Sequence, residues 1–534
     1  MAGAFTQDFY FAFSAANQYI LLPPPATGIS SFPGPVWNNL PVSLAADYAH
    51  NYFLLACVAG TVLLILLLIA RARLHPALAL CVAALTLGVA SGMPLAQVPL
   101  SFTGGVGNLL GHIAIVLGLG AILGRLLATS GGATALGNLF VDSCGPQGLP
   151  WALLGLGILV GLPVFFEVGL VLLLPIVAEV ARRSHRPPIL VALPVLAGLS
   201  IVHGTLPPHP AAMLAVTEYH ADLGRTILWG LAAGLPAAAL AGPGLGWILM
   251  RRWERHRAKG EAAAAEEGTT LFTVTEEAKT AKEAGNADRI GVQETVTAED
   301  APHLEPVPAP AGPLRAAAAI LLPVALIFLG SWAGLLTAPD SLASQILHFT
   351  GTAEVALLIG VLVALVTLGS HIQTGRHHGV ELLRRLTGEA FEPIAGVLVI
   401  LAAAGGLSGI LRDSGASQAT VGLALGAHIP PLVLAWLLAA VVRISTGSAT
   451  VAMAVASGIL APLAGYAGVR PELLVLATGT GSLMLSHVND PGFWMIQSFF
   501  KLELKETLST WTVLETVLSV AGLGTTLLLS ALLR

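Results

Sequence analysis

Charged residues are scarce in this chain of 534 residues, because Asp, Glu, Lys and Arg together make up only 10% of it. Soluble domains carry roughly 25%. Hydrophobic residues make up 55%, and the mean hydropathy is +0.81. This composition excludes a soluble globular enzyme, a disordered chain and a fibrous protein. The net charge of −5 gives no electrostatic footprint for DNA or RNA, so no nucleic-acid partner is expected.

Cysteine and nucleotide-binding motifs are also lacking. Cys57, Cys81 and Cys144 are the three cysteines of the sequence, and an odd, scattered number favours neither a disulfide framework nor a metal site. The sequence has no G-x-x-x-x-G-K-[ST] motif and no dinucleotide-binding fingerprint. We therefore expect no cofactor and no metal, and any transport would be driven by an ion gradient.

Long apolar runs are what the chain has instead. The run LLACVAGTVLLILLLIA at 54–70 is continuous, whereas a transmembrane β-barrel has alternating segments of about ten residues. A membrane-spanning helix needs about 20 apolar residues. The pattern predicts an all-α polytopic membrane protein with about 12 membrane segments. The 59 glycines and 34 prolines favour close helix packing and broken helices.

Charge is concentrated in one region, since residues 251–315 hold nine of the 25 basic and twelve of the 30 acidic side chains. Such a segment cannot bury enough apolar surface to fold alone. Arginines at 71, 182, 251, 376 and 384 are predicted to face the cytoplasm. The predicted organisation is an N-terminal extension at 1–48, a first transmembrane half at 49–255, a cytoplasmic charged and Pro-rich linker at 256–314, and a second transmembrane half at 315–534.

The two halves share three features in the same order. GRLLATSGG at 124–132 resembles GILRDSGAS at 409–417. Polar interruptions follow in both halves, and after them come two breaks that contain histidine, HGTLPPHP and SHVNDPGFW. By the distribution of arginines, 107–128 runs inward and 390–411 runs outward. The halves are therefore predicted to be inverted repeats with broken or re-entrant helices, as is typical of secondary transporters.

Three ionisable side chains of the first half are candidate functional residues. Glu167 lies in the apolar run GLPVFFEVGL, where an ionisable group is costly and is by default a functional candidate. We predict that it carries a proton, although a structural pair with an arginine is the alternative. His203 and His209 flank two prolines that no helix can continue through. They are predicted to line the substrate site, the alternative being structural histidines.

The segment RISTGSATVA supplies a cation and several hydroxyl groups. Arg443 can hold a carboxylate through two hydrogen bonds, and a helix that begins after the glycine would favour an anion. Nearby hydroxyls can bind a polyhydroxy substrate. The alternative is that they bond within the helix. The predicted substrate-binding residues here are Arg443, Ser445, Thr446, Ser448 and Thr450.

The segment GTGSLMLSHVNDPGFW ends an apolar span in a cluster of polar groups. Ser486 and Asn489 are predicted to bind substrate, and His487 and Asp490 are predicted to take part in proton coupling. A half-helix that ends at membrane depth would have this composition. The alternative is an ordinary helix end with polar capping residues.

At these motifs the sequence resembles the gluconate permease family of proton symporters, within the ion-transporter superfamily. The resemblance runs from about residue 50 to the C-terminus, except for the linker. It rests on FFEVGLVLLLPIV, HGTLPPHP, ADLGRTILWG, GSATVA, SHVNDPGFW and WTVLETVLSVAGL. It implies import of gluconate or a related sugar acid with protons across the bacterial inner membrane. It also implies paired repeats in which a mobile transport domain moves against a scaffold.

The predicted function is thus secondary active transport of a small organic anion with protons, without enzymatic activity and with the lipid bilayer as surroundings. Another hydroxy-carboxylate or an amino acid is an alternative substrate. An intramembrane serine hydrolase that uses Ser482 or Ser448 with His487 is a second alternative, and a channel is a third. Many transporters with two domains dimerise through a scaffold, so a homodimer stays open.

Overall fold

A computed structural model describes residues 42–145, 147–184, 186–266, 311–338, 341–369, 379–426, 428–465 and 468–533. Residues 51–534 form one compact unit, and every contact given below lies within it. Most of the predicted N-terminal extension and linker, and Arg376, lie outside the described residues. The described ends of these segments are helical, since one helix begins at Val42 and another continues to Glu266.

The described residues of the first half form ten helices that vary widely in length. Short π-helical turns at Leu67–Arg71 and Leu240–Gly244 follow two of them. The helices are α1 (Val42–Leu66), α2 (Pro76–Ala90), α3 (Gln97–Thr129), α4 (Gly132–Ser143), α5 (Leu149–Gly161), α6 (Phe166–Ser184), α7 (Pro188–Thr205), α8 (Pro210–Tyr219), α9 (Leu223–Ala239) and α10 (Leu245–Glu266).

The described residues of the second half form thirteen helices. A 3₁₀ turn at Ala461–Gly465 and a π turn at Leu508–Thr512 accompany them. The helices are α11 (Pro313–Ser331), α12 (Ala333–Leu336), α13 (Leu342–Thr350), α14 (Ala353–Thr367), α15 (Gly379–Glu389), α16 (Glu392–Asp413), α17 (Ala416–Gly426), α18 (Pro431–Thr446), α19 (Ala449–Leu460), α20 (Pro471–Gly481), α21 (Pro491–Phe499), α22 (Leu504–Thr507) and α23 (Val513–Leu532).

The order of elements from α3 to α9 repeats from α16 to α21 and α23. Each series begins with a long helix, continues with a short helix and two short arms, and ends with a broken helix and another long helix. The leading helices α3 and α16 pack in opposite directions. A Cβ atom built on Gly105 would lie 3.0 Å from Gly409 Cα, while Arg125 Nη2 lies 2.7 Å from Glu389 Oε2. This antiparallel packing agrees with inverted repeats.

Four breaks among the described residues separate the arms of these repeats: 162–165, 206–209, 447–448 and 482–490. Proline at the first position of α8, α18, α20 and α21 suits a helix start, where the missing N–H costs nothing. Gly447 ends α18 with φ +70°, a left-handed cap that favours glycine. Ser448 then caps α19, because its side chain accepts a hydrogen bond from Val451 N.

The segment 151–181 is predicted to cross the membrane twice or to form a re-entrant hairpin, and the structure divides it into α5 and α6. At 13 residues, α5 is about 20 Å long, which is shorter than the hydrocarbon core of about 30 Å. Helices α18 and α19 pack against each other as a second pair of arms. Short arms of this kind are typical of re-entrant segments at the substrate site of a transporter.

Seven helical stretches among the described residues are long and apolar enough to cross a membrane, or eight if the pair 342–350 and 353–367, bent by 74°, is one span. Four shorter apolar stretches are also present. The chain is therefore an all-helical multi-pass membrane protein. The number of about 12 membrane segments stays a prediction, because it counts broken and short segments that length alone does not settle.

Candidate functional site

The four breaks meet in the interior of the compact unit. A Cβ atom built on Gly479 would lie 2.0 Å from Gly204 O, so α20 and α7 touch beside their breaks. Phe165, in the break after α5, packs edge to face on the ring of His209 with centroids 5.8 Å apart. We name this meeting point the central site and define it by Glu167, His203, His209, Arg443, Asp490 and Glu515.

Arg443 and Asp490 form a buried ion pair at the centre, although 47 residues separate them in the chain. Arg443 Nη2 donates to Asp490 Oδ2, and Arg443 Nη1 donates to the carbonyl of Gly447. The guanidinium thus joins the end of α18 to the break before α21. The sequence predicts separate roles for the two residues, a carboxylate ligand and a proton carrier, and does not reveal that they neutralise each other.

Asp490 accepts hydrogen bonds from three donors, of which Arg443 is one. Its Oδ2 also accepts from the hydroxyl of Ser486, and its Oδ1 accepts from Gly492 N at 2.8 Å. Ser486 in turn accepts a hydrogen bond of 2.7 Å from Trp511 Nε1, and its carbonyl accepts one of 2.6 Å from Thr512. Such a network fixes the carboxylate in place, which makes Asp490 the group that orients Arg443.

Replacing Trp511 by phenylalanine should weaken substrate affinity moderately. The variant keeps an aromatic ring to pack on Phe166, whose centroid lies 5.4 Å from that of Trp511, but it loses the hydrogen bond to Ser486. A neutral hydrogen bond contributes about 0.5–1.5 kcal/mol, so we expect KM to rise about two- to tenfold. Initial uptake rates measure this effect, and Trp494→Phe, at an exposed indole that bonds Val488 O, is the control.

His203 and His209 lie together on either side of the break between α7 and α8. Their ring centroids are 4.4 Å apart, and the side chain of His209 is buried. His203 also interacts electrostatically with Arg443 and Asp490. The structure therefore brings both predicted histidines to the centre, beside the ion pair.

Two glutamates complete the central site. Glu167 lies in the first turn of α6, is exposed and interacts electrostatically with Asp490. Glu515 lies on α23 with only 1% of its surface exposed and interacts with Ser200 of α7. Glu515 is not among the residues predicted from sequence, yet an ionisable residue in the apolar run 510–533 is the same signal that identifies Glu167.

Five buried side-chain atoms lack a hydrogen-bond partner in the part of the chain that the structure describes, and all belong to the central site. They are His203 Nδ1, both ring nitrogens of His209, Arg443 Nε and Glu515 Oε1. An unpaired buried polar group costs about 1–3 kcal/mol, and native proteins leave few of them. Their concentration here indicates a site built to receive the polar groups of a ligand.

Helix termini add a field that suits an anion. Helices α6, α8, α19 and α21 each begin at one of the four breaks. A helix N-terminus carries about half a positive charge and unpaired N–H groups. Together with Arg443, these termini favour a carboxylate, while the nearby acidic side chains limit how much negative charge can collect unless protons accompany it.

The predicted hydroxyl residues of the second half have different environments. Ser445 and Thr446 donate to Val441 O and Val442 O, each at 2.8 Å, which is the bonding within the helix that the alternative interpretation describes. Ser448 caps α19, and Thr450 is half-buried in the first turn of that helix. A hydroxyl whose proton is donated to the helix can still accept a hydrogen bond from a ligand.

His487 and Asn489 are bonded to the backbone. His487 Nδ1 lies 2.9 Å from Leu485 O, and Asn489 Nδ2 donates to Ile444 O at 2.8 Å. Asn489 therefore ties the break before α21 to the end of α18. Ser482 Oγ donates to Gly479 O at 2.8 Å, and neither it nor Ser448 has a described hydrogen bond to His487, so the pairing that a serine hydrolase requires is not formed in the described structure.

Replacing Gly447 by alanine should impair transport strongly. The backbone there has φ +70°, and a Cβ atom would lie 2.2 Å from Asn489 O, so the methyl group forces apart the two breaks that hold Arg443 and Asp490. A left-handed conformation costs a non-glycine residue about 1 kcal/mol before this clash. We expect at least a tenfold loss of uptake at normal membrane abundance. Gly422→Ala, where nothing lies within 4 Å, should transport normally.

Among the described residues, no group of three or more His, Cys, Asp or Glu side chains is arranged to hold a metal ion. Of the two histidines of the central site, His203 interacts electrostatically with a carboxylate, that of Asp490.

Comparison with known proteins gives concordant matches. The sequence fits the pattern of the GntP family permease over residues 52–275 and 294–532. A gluconate permease of Pseudomonas aeruginosa is 39% identical over 91% of this chain and 99% of its own. The high-affinity gluconate transporter of Escherichia coli is 36% identical over 89% of this chain and 99% of its own. The Gnt-II system L-idonate transporter of the same species is 35% identical over 90% of this chain and 100% of its own.

A solved structure shares the fold. The YdaH transporter of Alcanivorax borkumensis superimposes with a TM-score of 0.59, over 86% of this chain and 98% of its own, at 20% identity. At that identity the likeness concerns architecture alone.

Proposed function

Because this chain belongs to the GntP family of permeases, we propose that it is a secondary active transporter that imports gluconate or a related sugar acid together with protons. Membership in a family of permeases also confirms the prediction that the chain is not an enzyme. The observation that carries the proposal is the concentration of unpartnered polar atoms where the four breaks meet.

Binding of the substrate carboxylate is assigned to Arg443 and the helix termini around it. The Nε atom of Arg443 is buried and unpartnered, whereas both terminal nitrogens are engaged. Asp490 therefore positions the guanidinium, and the substrate binds on its remaining edge. The ring nitrogens of His203 and His209 and the hydroxyls of Ser448 and Thr450 are then available to the substrate hydroxyls.

Proton coupling follows from the charge in this apolar interior. Arg443 and Asp490 balance each other, so a bound carboxylate adds one uncompensated negative charge, next to Glu167 and Glu515. Burying an unpaired charge is costly. A proton on Glu167 removes one negative charge as the substrate enters, so substrate and proton binding favour each other. Glu167 suits this role because it is exposed, whereas Asp490 is held by three donors.

Counterflow in proteoliposomes tests the proposed substrate and the carrier mechanism. Vesicles loaded with unlabelled gluconate and diluted into labelled gluconate should accumulate label transiently above the outside concentration. Idonate should compete, and glucose, which lacks the carboxylate, should not. A channel equilibrates without an overshoot. Competition by unhydroxylated carboxylates or amino acids as strong as that by gluconate would favour the alternative of another small organic anion.

The location proposed is the bacterial inner membrane, with the lipid bilayer around the apolar helices. The bacterial sources of the related permeases and the arginines predicted to face the cytoplasm support it. A homodimer remains a proposal that cross-linking in membranes can test.

A further inference from the structure

A second cavity, of about 220 Å³ and with several polar side chains in its walls, lies apart from the central site. Helices α3, α8, α16, α17 and α19 contribute to its walls. None of the residues predicted to bind substrate or protons lines it. We name it the outer cavity and define it by six of its lining residues, Asn108, Glu218, Ser408, Arg412, Ser417 and Gln418.

The distribution of arginines predicts that the outer cavity lies on the side of the membrane away from the cytoplasm. Arginines at 384 and 385, just before α16, mark its cytoplasmic end, so Arg412 at the other end of this helix of 22 residues lies on the opposite side. Glu218 is predicted to lie on the same side as Arg412. Helix α7 begins just after Arg186, which is predicted to be cytoplasmic, and Glu218 lies near the end of α8, which continues the chain after the break. In this predicted orientation, the outer cavity faces substrate that approaches from outside the cell.

The lining combines one cation with hydrogen-bonding groups. Glu218 Oε2 accepts a hydrogen bond of 2.7 Å from Ser408 Oγ, and Glu218 interacts electrostatically with Arg412 and His220. Arg412 is exposed and bonds Asp413 through Nε at 3.1 Å. The amides of Asn108 and Gln418 face the same cavity. Most of the cavity surface is apolar, and the polar groups set into it include side chains of both charges.

The chemistry of the lining selects one class of ligand. A guanidinium at the rim attracts a carboxylate, while a carboxylate, hydroxyls and amides pair with hydroxyl groups. A monocarboxylate can place its one charge at Arg412 and its hydroxyl groups near Glu218, whereas the second carboxylate of a dicarboxylate would find no further arginine or lysine among the described lining residues. The volume lies below the roughly 300–1,000 Å³ of pockets for drug-sized ligands, so the ligand is small.

We propose that the outer cavity is a second binding site for a polyhydroxylated monocarboxylate, which occupies it before it reaches the central site. This inference rests on the proposed function, because it takes the transported sugar acid as the ligand. The outer cavity would raise the local concentration of substrate and select it by both its charge and its hydroxyl groups.

Uptake kinetics in right-side-out vesicles provide the first test. Arg412→Gln should raise KM for gluconate about fivefold at low salt while leaving Vmax unchanged. The variant loses the positive charge that attracts substrate from solution, but it keeps the central site intact. The difference should fade at roughly 0.5 M salt, where charges are screened. The control is Arg470→Gln, which removes another exposed arginine, one that bonds Leu533 O outside the cavity. A KM within twofold of the parent, or a change insensitive to salt, would overturn the proposal.

Protection from labelling tests occupancy directly. Gln418→Cys is introduced into a chain whose three cysteines are alanine and whose central site is disabled by Arg443→Lys, and is then labelled with a membrane-impermeant maleimide. Gluconate should slow labelling, and glucose or acetate at equal concentration should do so much less. Equal protection by all three, or none, would refute the outer cavity as a site. If the parent protein still transports gluconate in that case, only this inference fails, whereas absence of transport by the parent removes the proposed function as well.

Discussion

Replacing Glu167 by glutamine is expected to abolish accumulation of gluconate against a gradient while leaving exchange of gluconate intact. If one proton accompanies each substrate, an inward gradient of two pH units supports accumulation of about 100-fold, because one unit corresponds to 1.36 kcal/mol. Glutamine keeps the shape of the side chain but cannot release a proton, so the gradient no longer drives transport. The accumulation ratio should then fall to about one.

Two measurements separate this effect from a damaged protein. Counterflow does not need a proton gradient, so Glu167→Gln should still show it. Glu179→Gln provides the matched control on the same helix, since Glu179 is bound by Arg182 and Arg183 at its exposed end and should accumulate gluconate like the parent. Undiminished accumulation by Glu167→Gln, with an unchanged pH profile, would remove Glu167 from the proton role.

Replacing Arg443 by lysine is expected to lower Vmax/KM for gluconate at least 100-fold, although the positive charge is kept. The guanidinium donates to Gly447 O and Asp490 at once and still presents Nε to the interior. An ammonium group on a different stem cannot reproduce this geometry. A factor of 100 corresponds to about 2.7 kcal/mol, just below the roughly 3–5 kcal/mol for breaking a buried pair.

Arg125→Lys is the matched control for this second prediction. Arg125 also forms an ion pair, with Glu389 at 2.7 Å, but both side chains are partly exposed, at 43% and 31%. An exposed pair contributes about 0–1 kcal/mol, so uptake should change less than twofold. Equal losses in both variants, or normal uptake by Arg443→Lys, would show that the buried pair does not organise the central site.

The breaks were predictable from sequence because their signals are local. The two prolines after His203, and Pro491 after the polar cluster, stop a helix wherever it lies. An ionisable residue in an apolar run identified Glu167 in the same way. The antiparallel packing of α3 and α16 agrees with the inverted repeat, which the arginine distribution had indicated from sequence.

Contacts between distant segments were not predictable. Nothing local to Arg443 indicates that Asp490, 47 residues later, neutralises it, or that Trp511 completes the same network through Ser486. The sequence leaves open whether the hydroxyls of Ser445 and Thr446 bind substrate or bond within their helix, and the structure shows that both donate to the helix. Glu515 carries the same local signal as Glu167, whereas Glu218 lies in a polar stretch between apolar runs. Only the fold shows that Glu218 lines the outer cavity and that Glu515 lies in the central site.

Accumulation of radiolabelled gluconate by proteoliposomes under an imposed inward proton gradient, with and without an uncoupler, tests proton-coupled import most directly. The account predicts accumulation that scales with the pH difference and collapses when the uncoupler is added. Accumulation that persists with the uncoupler, or no uptake by folded and inserted protein that does transport another organic anion, would contradict it.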